Sequence, residues 1–247
     1  METENLIVTT KDNIKIVRLN KPKKKNAIDY NMYVRMAEIL KDAAIDEDIS
    51  IVVLTGTGDF YCSGNDLSAN DVPMKTLFAA VVEFVKTLIT FPKLLIALVN
   101  GPAIGIAVTT LALCDFVFTS ENAYFCTPFS KLNIVAEGAS SITFPKLLGE
   151  RTALKMLIMD YKMPAKEALE CGLISFLYKD EEFHEKAWDC ISEISKLPMD
   201  SVLGTKKLIR RVDMEALLRA TELEINEIEK ISLSLLVVTN KYFRKYI

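Results

Sequence analysis

The sequence has little that could serve a metal, a disulfide framework, a nucleic acid or a membrane. It carries one histidine, His184, in 247 residues. That leaves no Ser-His-Asp set and no histidine-based metal site, so no metal is expected. The five cysteines (Cys62, Cys114, Cys126, Cys171 and Cys190) are odd in number and show no C-x-x-C spacing. They read as reduced thiols packed like small apolar side chains. Lys and Arg number 30 against 33 Asp and Glu, for a net charge of −3, and no strongly basic stripe stands out. Nucleic acid is therefore not an expected partner. The apolar run at residues 233–238 is far too short to cross a bilayer, so no membrane partner is expected either. The opening Met-Glu-Thr-Glu-Asn-Leu is acidic, unlike a signal or transit peptide. The closing Lys245-Tyr246-Ile247 is not the Ser-Lys-Leu address.

What the chain does have is apolar mass: 50% of residues are apolar and 26% charged, enough for a sizeable core. Residues 6–10 and 14–19 are β-rich and flank Lys11-Asp12-Asn13, which predicts a hairpin. Asp29 can cap a helix whose apolar face is Tyr33, Met36, Ala37, Leu40 and Ala44. Residues 51–55 and 94–99 are continuous apolar runs, each closed by a Gly-bearing turn, and read as buried strands. A helix is predicted over 77–91, stopped by Pro92, and a small-residue helix over 105–113. Short strands are predicted at 115–119 and 123–127. Helices follow at 140–148, 151–159, 165–171 and 181–196, the last read as solvated around His184. Met156, Met159, Phe176 and Trp188 fit core packing. Beyond Leu197 the pattern is wholly helical, over 201–211 and 214–234. Alternation of β and α elements predicts an α/β layer fold. No Gly- or Ser-rich linker divides it, so residues 1–247 read as one domain, a core at 1–196 and a helical extension at 197–247.

Three local features could carry chemistry. Tyr61-Cys62-Ser63-Gly64-Asn65-Asp66-Leu67 is a small-residue turn that bares backbone N–H groups able to hold a polarised oxygen. Asn100-Gly101-Pro102-Ala103-Ile104-Gly105-Ile106-Ala107 leads a strand into a helix N-terminus, without the G-K-[ST] ending of a P-loop and without G-x-G-x-x-G. Val135-Ala136-Glu137-Gly138-Ala139-Ser140-Ser141 places one acid in a turn before an apolar helix. Each alone also fits a bland reading: an ordinary turn, tight strand–helix packing, a helix N-terminal charge.

Together and in this order they resemble the crotonase (enoyl-CoA hydratase/isomerase) superfamily, over essentially the whole chain. Further matching pieces are Arg18-Leu19-Asn20-Lys21-Pro22 with Lys25-Asn26-Ala27, then Cys114-Asp115, then Ala165-x-Glu167-Ala168-x-x-x-Gly172-Leu173. Ser-Gly-Asn-Asp-Leu, Thr127-Pro128-Phe129 and Glu137-Gly138-x-Ser140-Ser141 look most like the peroxisomal-type Δ3,Δ2-enoyl-CoA isomerases. The resemblance implies a ββα spiral core with a C-terminal trimerisation extension, and homotrimers that often pair into hexamers. The stripe Leu217, Leu218, Leu223, Ile225, Ile228 and Ile231 would cover the core and a neighbour, though it could equally be intramolecular.

The resemblance also implies roles. The amides of Asn65 and Ile106 would form an oxyanion hole around a thioester oxygen. Glu137 would take a proton from C2 of a 3-enoyl-CoA and return it to C4, in β-oxidation of unsaturated fatty acids. Burial should raise its pKa. Ile134, Val135 and Phe129 would wall the pocket. Lys23, Lys24, Lys25 and Ala27, with Ser63 to Leu67, would flank coenzyme A, which is part of the substrate; no separate cofactor is expected. Water-adding members use two glutamates, and Thr109 and Phe129 stand at those positions here. Ala136 stands where these isomerases carry proline, which predicts a looser turn. The compartment implied is the peroxisome or mitochondrial matrix. The competing readings are another crotonase reaction and a non-catalytic acyl-CoA-binding module, which would need no acid at 137.

Overall fold

The structure, a computed structural model, describes residues 4–66 and 72–243, with side chains up to residue 231. Leu67 lies outside the described residues. The chain runs β1 (Leu6–Lys11), β2 (Ile14–Leu19), α1 (Tyr30–Ile45), β3 (Ile51–Gly56), α2 (Met74–Thr90) and β4 (Leu94–Val99). It continues through β5 (Ala103–Ile104), α3 (Ile106–Thr109), β6 (Phe116–Ser120), β7 (Tyr124–Cys126), α4 (Ser140–Leu148) and α5 (Glu150–Met159). It closes with β8 (Met163–Pro164), α6 (Ala165–Glu170), β9 (Phe176–Tyr178), α7 (Asp180–Ser195), α8 (Met199–Arg211) and α9 (Met214–Phe243).

The hairpin β1–β2 is antiparallel, with Leu6 opposite Leu19. β3, β4, β6 and β9 then join in parallel, giving a sheet of order β1-β2-β3-β4-β6-β9. A small second sheet, β5-β7-β8, stands beside it. Every residue of β4 is buried, as expected for a parallel strand covered on both faces. One face carries α1 and α2. Asp29 accepts from the Met32 amide at 2.9 Å and starts α1. Tyr33, Met36 and Leu40 of α1 meet Phe84, Val85 and Leu88 of α2 in the larger core.

The other face is covered by α7, which corrects the solvated reading of that segment. Phe183, Ala187 and Ile191 pack on Ile51, Val53, Ile96 and Phe118. The stripe was hidden because Asp180, Glu181 and Glu182 crowd the first turn and only Phe183, Ala187 and Ile191 are buried outright, with Trp188, Cys190 and Ile194 partly covered against the same core. His184 itself is exposed. Met159 is also corrected: it is 72% exposed at the end of α5, while Met156 is fully buried. Among the cysteines only Cys62 is buried, and all five are free thiols.

Asp115 holds the C-terminal helices onto the sheet. Its carboxylate accepts from the Leu95 amide at 2.8 Å, from Lys206 Nζ at 2.7 Å and from Arg210 at 3.2 Å. α9 then lies against α2 and α4, and Lys86 of α2 pairs with Glu222 of α9 at 2.7 Å. Of its apolar stripe, Leu217 and Ile228 are buried and Leu218 packs on the core, whereas Leu223 is 59% exposed. No described helix is long and apolar enough to cross a membrane.

Candidate active site

Two asparagines fix the turns that the sequence singled out. Asn26 is fully buried, and its Nδ2 donates to the carbonyls of Thr57 (2.9 Å), Phe60 (2.7 Å) and Tyr61 (3.3 Å). Its Oδ1 accepts from the Lys21 amide at 3.0 Å. Asn100 accepts from the Gly56 amide at 3.1 Å and donates to the Gly58 carbonyl at 2.7 Å. Gly101 is required beside them, because a Cβ there would lie 2.1 Å from the Asp59 carbonyl oxygen.

The first turn is thereby pressed against β5. Cys62 bridges Ala103, and the Ile104 amide donates to the Cys62 carbonyl at 2.9 Å. On its other side the Ile28 amide donates to the Gly64 carbonyl (2.9 Å) and the Asp66 amide to the Ile28 carbonyl (2.8 Å). Gly64 takes φ +87°. These bonds run through the residues on either side of Asn65. Among the described residues, the amides of Asn65 and of Ile106, the first residue of α3, have no backbone acceptor outside regular structure. They are the two amides to which the family resemblance gives the oxyanion.

Glu137 sits in the turn before α4, with 6% of its surface exposed. Asn65 Nδ2 donates to its Oε1 at 3.2 Å, and the buried Tyr33 hydroxyl donates to Asn65 Oδ1 in a short hydrogen bond. Burial first, and the charge of Glu224 second, push the Glu137 pKa up to about 7, while the Asn65 bond opposes the rise. A carboxylate poised near neutrality can accept and release a proton with little driving force in either direction. The turn is anchored on the side of Glu137 away from Ala136. Ser140 Oγ donates to the Glu137 carbonyl at 2.8 Å. Glu224, reaching in from α9, accepts from the Ala139 amide (2.8 Å), the Ser141 amide (2.8 Å) and Ser141 Oγ (2.5 Å). Gly138, at φ +74°, lies so close to Thr109 that a Cβ would be 2.4 Å from its hydroxyl.

The remaining expected residues are placed as follows. Phe129 is 1% exposed and its ring edge lies 3.9 Å from the Cβ position of Gly105, beside the Ile106 amide. Ile134 and Val135 are half-buried nearby in sequence. Ala27 is buried, while Lys23, Lys24 and Lys25 are exposed, with Lys25 Nζ 4.8 Å from the Phe60 ring centre. Ser63 donates from its amide to the Lys25 carbonyl at 2.9 Å. The buried Asp66 carboxylate is engaged with Lys21 and Lys24, each at 3.0 Å. Asn26, which the resemblance groups with the coenzyme-binding stretch, instead spends its side chain on holding the turn. Among the described residues no group of three His, Cys, Asp or Glu could hold a metal. A cavity of about 670 Å³ is lined by Leu94, Ile142, Leu147, Val202 and Ile209 and excludes Glu137, Asn65 and Ile106.

The parallel sheet, the turns that carry the Asn65 and Ile106 amides and the buried Glu137 define one architecture, and the comparisons name its family. The model of the enoyl-CoA hydratase/isomerase family matches residues 9–234, and the chain belongs to that family. It is 42% identical to human enoyl-CoA delta isomerase 2 over 92% of its own length and 59% of that protein's. It is 41% identical to mouse peroxisomal enoyl-CoA delta isomerase 3, over 87% of this chain and 70% of that one. The chain thus spans less than two thirds of the human relative. Its fold matches that of an enoyl-CoA hydratase from Mycobacterium avium subsp. paratuberculosis with a TM-score of 0.88 at 26% identity, covering 94% of this chain and 95% of that one.

Proposed function

We propose that this chain is a Δ3,Δ2-enoyl-CoA isomerase. The observation that carries the reading is Glu137: one buried carboxylate, held by Asn65 and titrating near neutrality, next to the bare amides of Asn65 and Ile106. The thioester oxygen of a 3-enoyl-CoA would accept from both amides. Glu137 would take a C2 proton, leaving an enolate whose charge rests on that oxygen. The same carboxyl would then deliver the proton to C4, the C2–C3 double bond forms, and the base returns to its starting state. A single such oxyanion donor is typically worth about 3 kcal/mol of barrier. Thr109 and Phe129 offer no second carboxylate to activate water, and Phe129 keeps the oxyanion side dry.

Lys23, Lys24, Lys25, Ala27 and Ser63 to Leu67 would receive coenzyme A, the lysines as point charges for its phosphates. No added cofactor enters this cycle. The apolar faces left open on α8, Leu208 and Ile209, suit packing against further copies in a trimer or hexamer. The names of the relatives favour a peroxisomal or mitochondrial setting for the same chemistry. The test is trans-3-hexenoyl-CoA, followed by the absorbance of the conjugated thioester. Wild type should turn over and Glu137→Gln should lose at least about a hundredfold in kcat. Equal rates in both, or none in wild type, would sink the reading.

A further inference from the structure

We propose that Glu224 on α9 is a positioning residue for Glu137, holding in place the turn that carries it. This rests on the isomerase reading and extends it to a residue 87 positions further along the chain. The geometry carries it. Ala139 is the N-cap of α4 in a left-handed conformation (φ +60°), and its own side chain cannot cap. The N-terminus of α4 therefore has amides to satisfy and no local acceptor. Glu224 supplies one from another helix, with Oε2 on the Ala139 amide and Oε1 on the Ser141 amide and hydroxyl. Both residues are essentially buried: Ala139 has no exposed surface and Glu224 has 7%. The peptide that these bonds fix begins two residues after the base.

Burial raises the proton affinity of Glu224, and the three donors on its two oxygens oppose that rise. When ionised, Glu224 places its charge in the buried region of Glu137 and favours the protonated form of Glu137. The other charged groups nearby are already matched. Glu222 pairs with Lys86 of α2, Glu227 with Lys230, and Lys146 of α4 with Asp213. Glu229 stands on the same helix beside a cavity of about 630 Å³ bounded by Val135, Ala136 and Ser141. Tyr33 and Asn65, on the opposite side, are uncharged partners.

The experiment compares Glu224→Gln and Ser141→Ala with wild type, each first checked for folding by circular dichroism. Isomerisation of 3-hexenoyl-CoA is followed from about pH 5 to 9, a range that spans the acid limb set by Glu137. Glu224→Gln removes the charge and mispairs one amide. It should lower kcat about tenfold, leave KM within about twofold, and move the acid limb to lower pH. Ser141→Ala removes one donor and keeps the charge, so kcat should fall about threefold with the limb unmoved. A folded Glu224→Gln protein with wild-type kcat and limb overturns the proposal. Should that variant not fold, Ser141→Ala decides alone, and wild-type kcat there overturns it. Carbon-13 titration of the Glu137 carboxyl, assigned with Glu137→Gln, reads the coupling without turnover. An inactive wild type whose Glu137 midpoint still drops in Glu224→Gln sinks the isomerase reading and keeps the coupling. An unmoved midpoint sinks the coupling.

Discussion

Burial raises the proton affinity of Glu137 and charges the fold for it. Its pKa stands at about 7 in the folded chain against an ordinary 4.5. Between those values the folded state keeps a proton that the unfolded state has lost. Stability therefore falls as pH rises through that window, and the loss is complete above about pH 7. At about 1.4 kcal/mol per pK unit the loss is on the order of 3 kcal/mol. Glu137→Gln keeps the shape and removes the charge. By calorimetry it should melt higher than wild type at about pH 8 and no higher at about pH 4. In the active protein the same titration should appear as an acid limb of kcat/KM near pH 7, absent from any residual rate of the Gln variant. The sequence made Glu137 readable, because an acid in a Gly-Ala-Ser-Ser turn follows two amide-baring turns in order. Glu224 was not readable. It is one of four acids, with Glu222, Glu227 and Glu229, within eight residues of one helix, and only the packing of α9 on α4 selects it.

The elements that position the site depend on a few buried polar anchors. Asn26 makes four hydrogen bonds that join the turn after β2 to the turn after β3. Asn26→Ala leaves three carbonyls and an amide without these partners, a cost of about 3 kcal/mol. Urea melts should show that loss, and the proposed isomerase activity should fall with it, because the Asn65 turn rests on the same carbonyls. Regular elements were legible where the chain repeats a period: α1 by its 3–4 spacing from Tyr33 to Leu40, β3 and β4 by their unbroken apolar runs. β5 and β8 were not, because two residues carry no period and pair only through tertiary contact. The 105–113 helix proved to be one α turn and one 3-10 turn, since Gly105 and small residues set the backbone there rather than side-chain propensity.

At the scale of the whole molecule, the C-terminal helices are fastened at two points, Asp115 and the α4 turn. Lys206 is 8% exposed and depends on Asp115 for its counter-charge. Asp115→Ala strands that ammonium and frees the Leu95 amide, which should cost about 3–5 kcal/mol in denaturant unfolding. The family resemblance marked Cys114-Asp115 without giving it a task, and the structure makes it the clasp for α8. The second fastening has a consequence in time. Synthesis proceeds from the N-terminus, so the ribosome releases Glu137 well before Glu224. Until α9 is made and laid down, the nascent chain carries a base whose turn has no acceptor for its amides. The Glu137 turn is therefore among the last parts of this polypeptide to gain its native anchors.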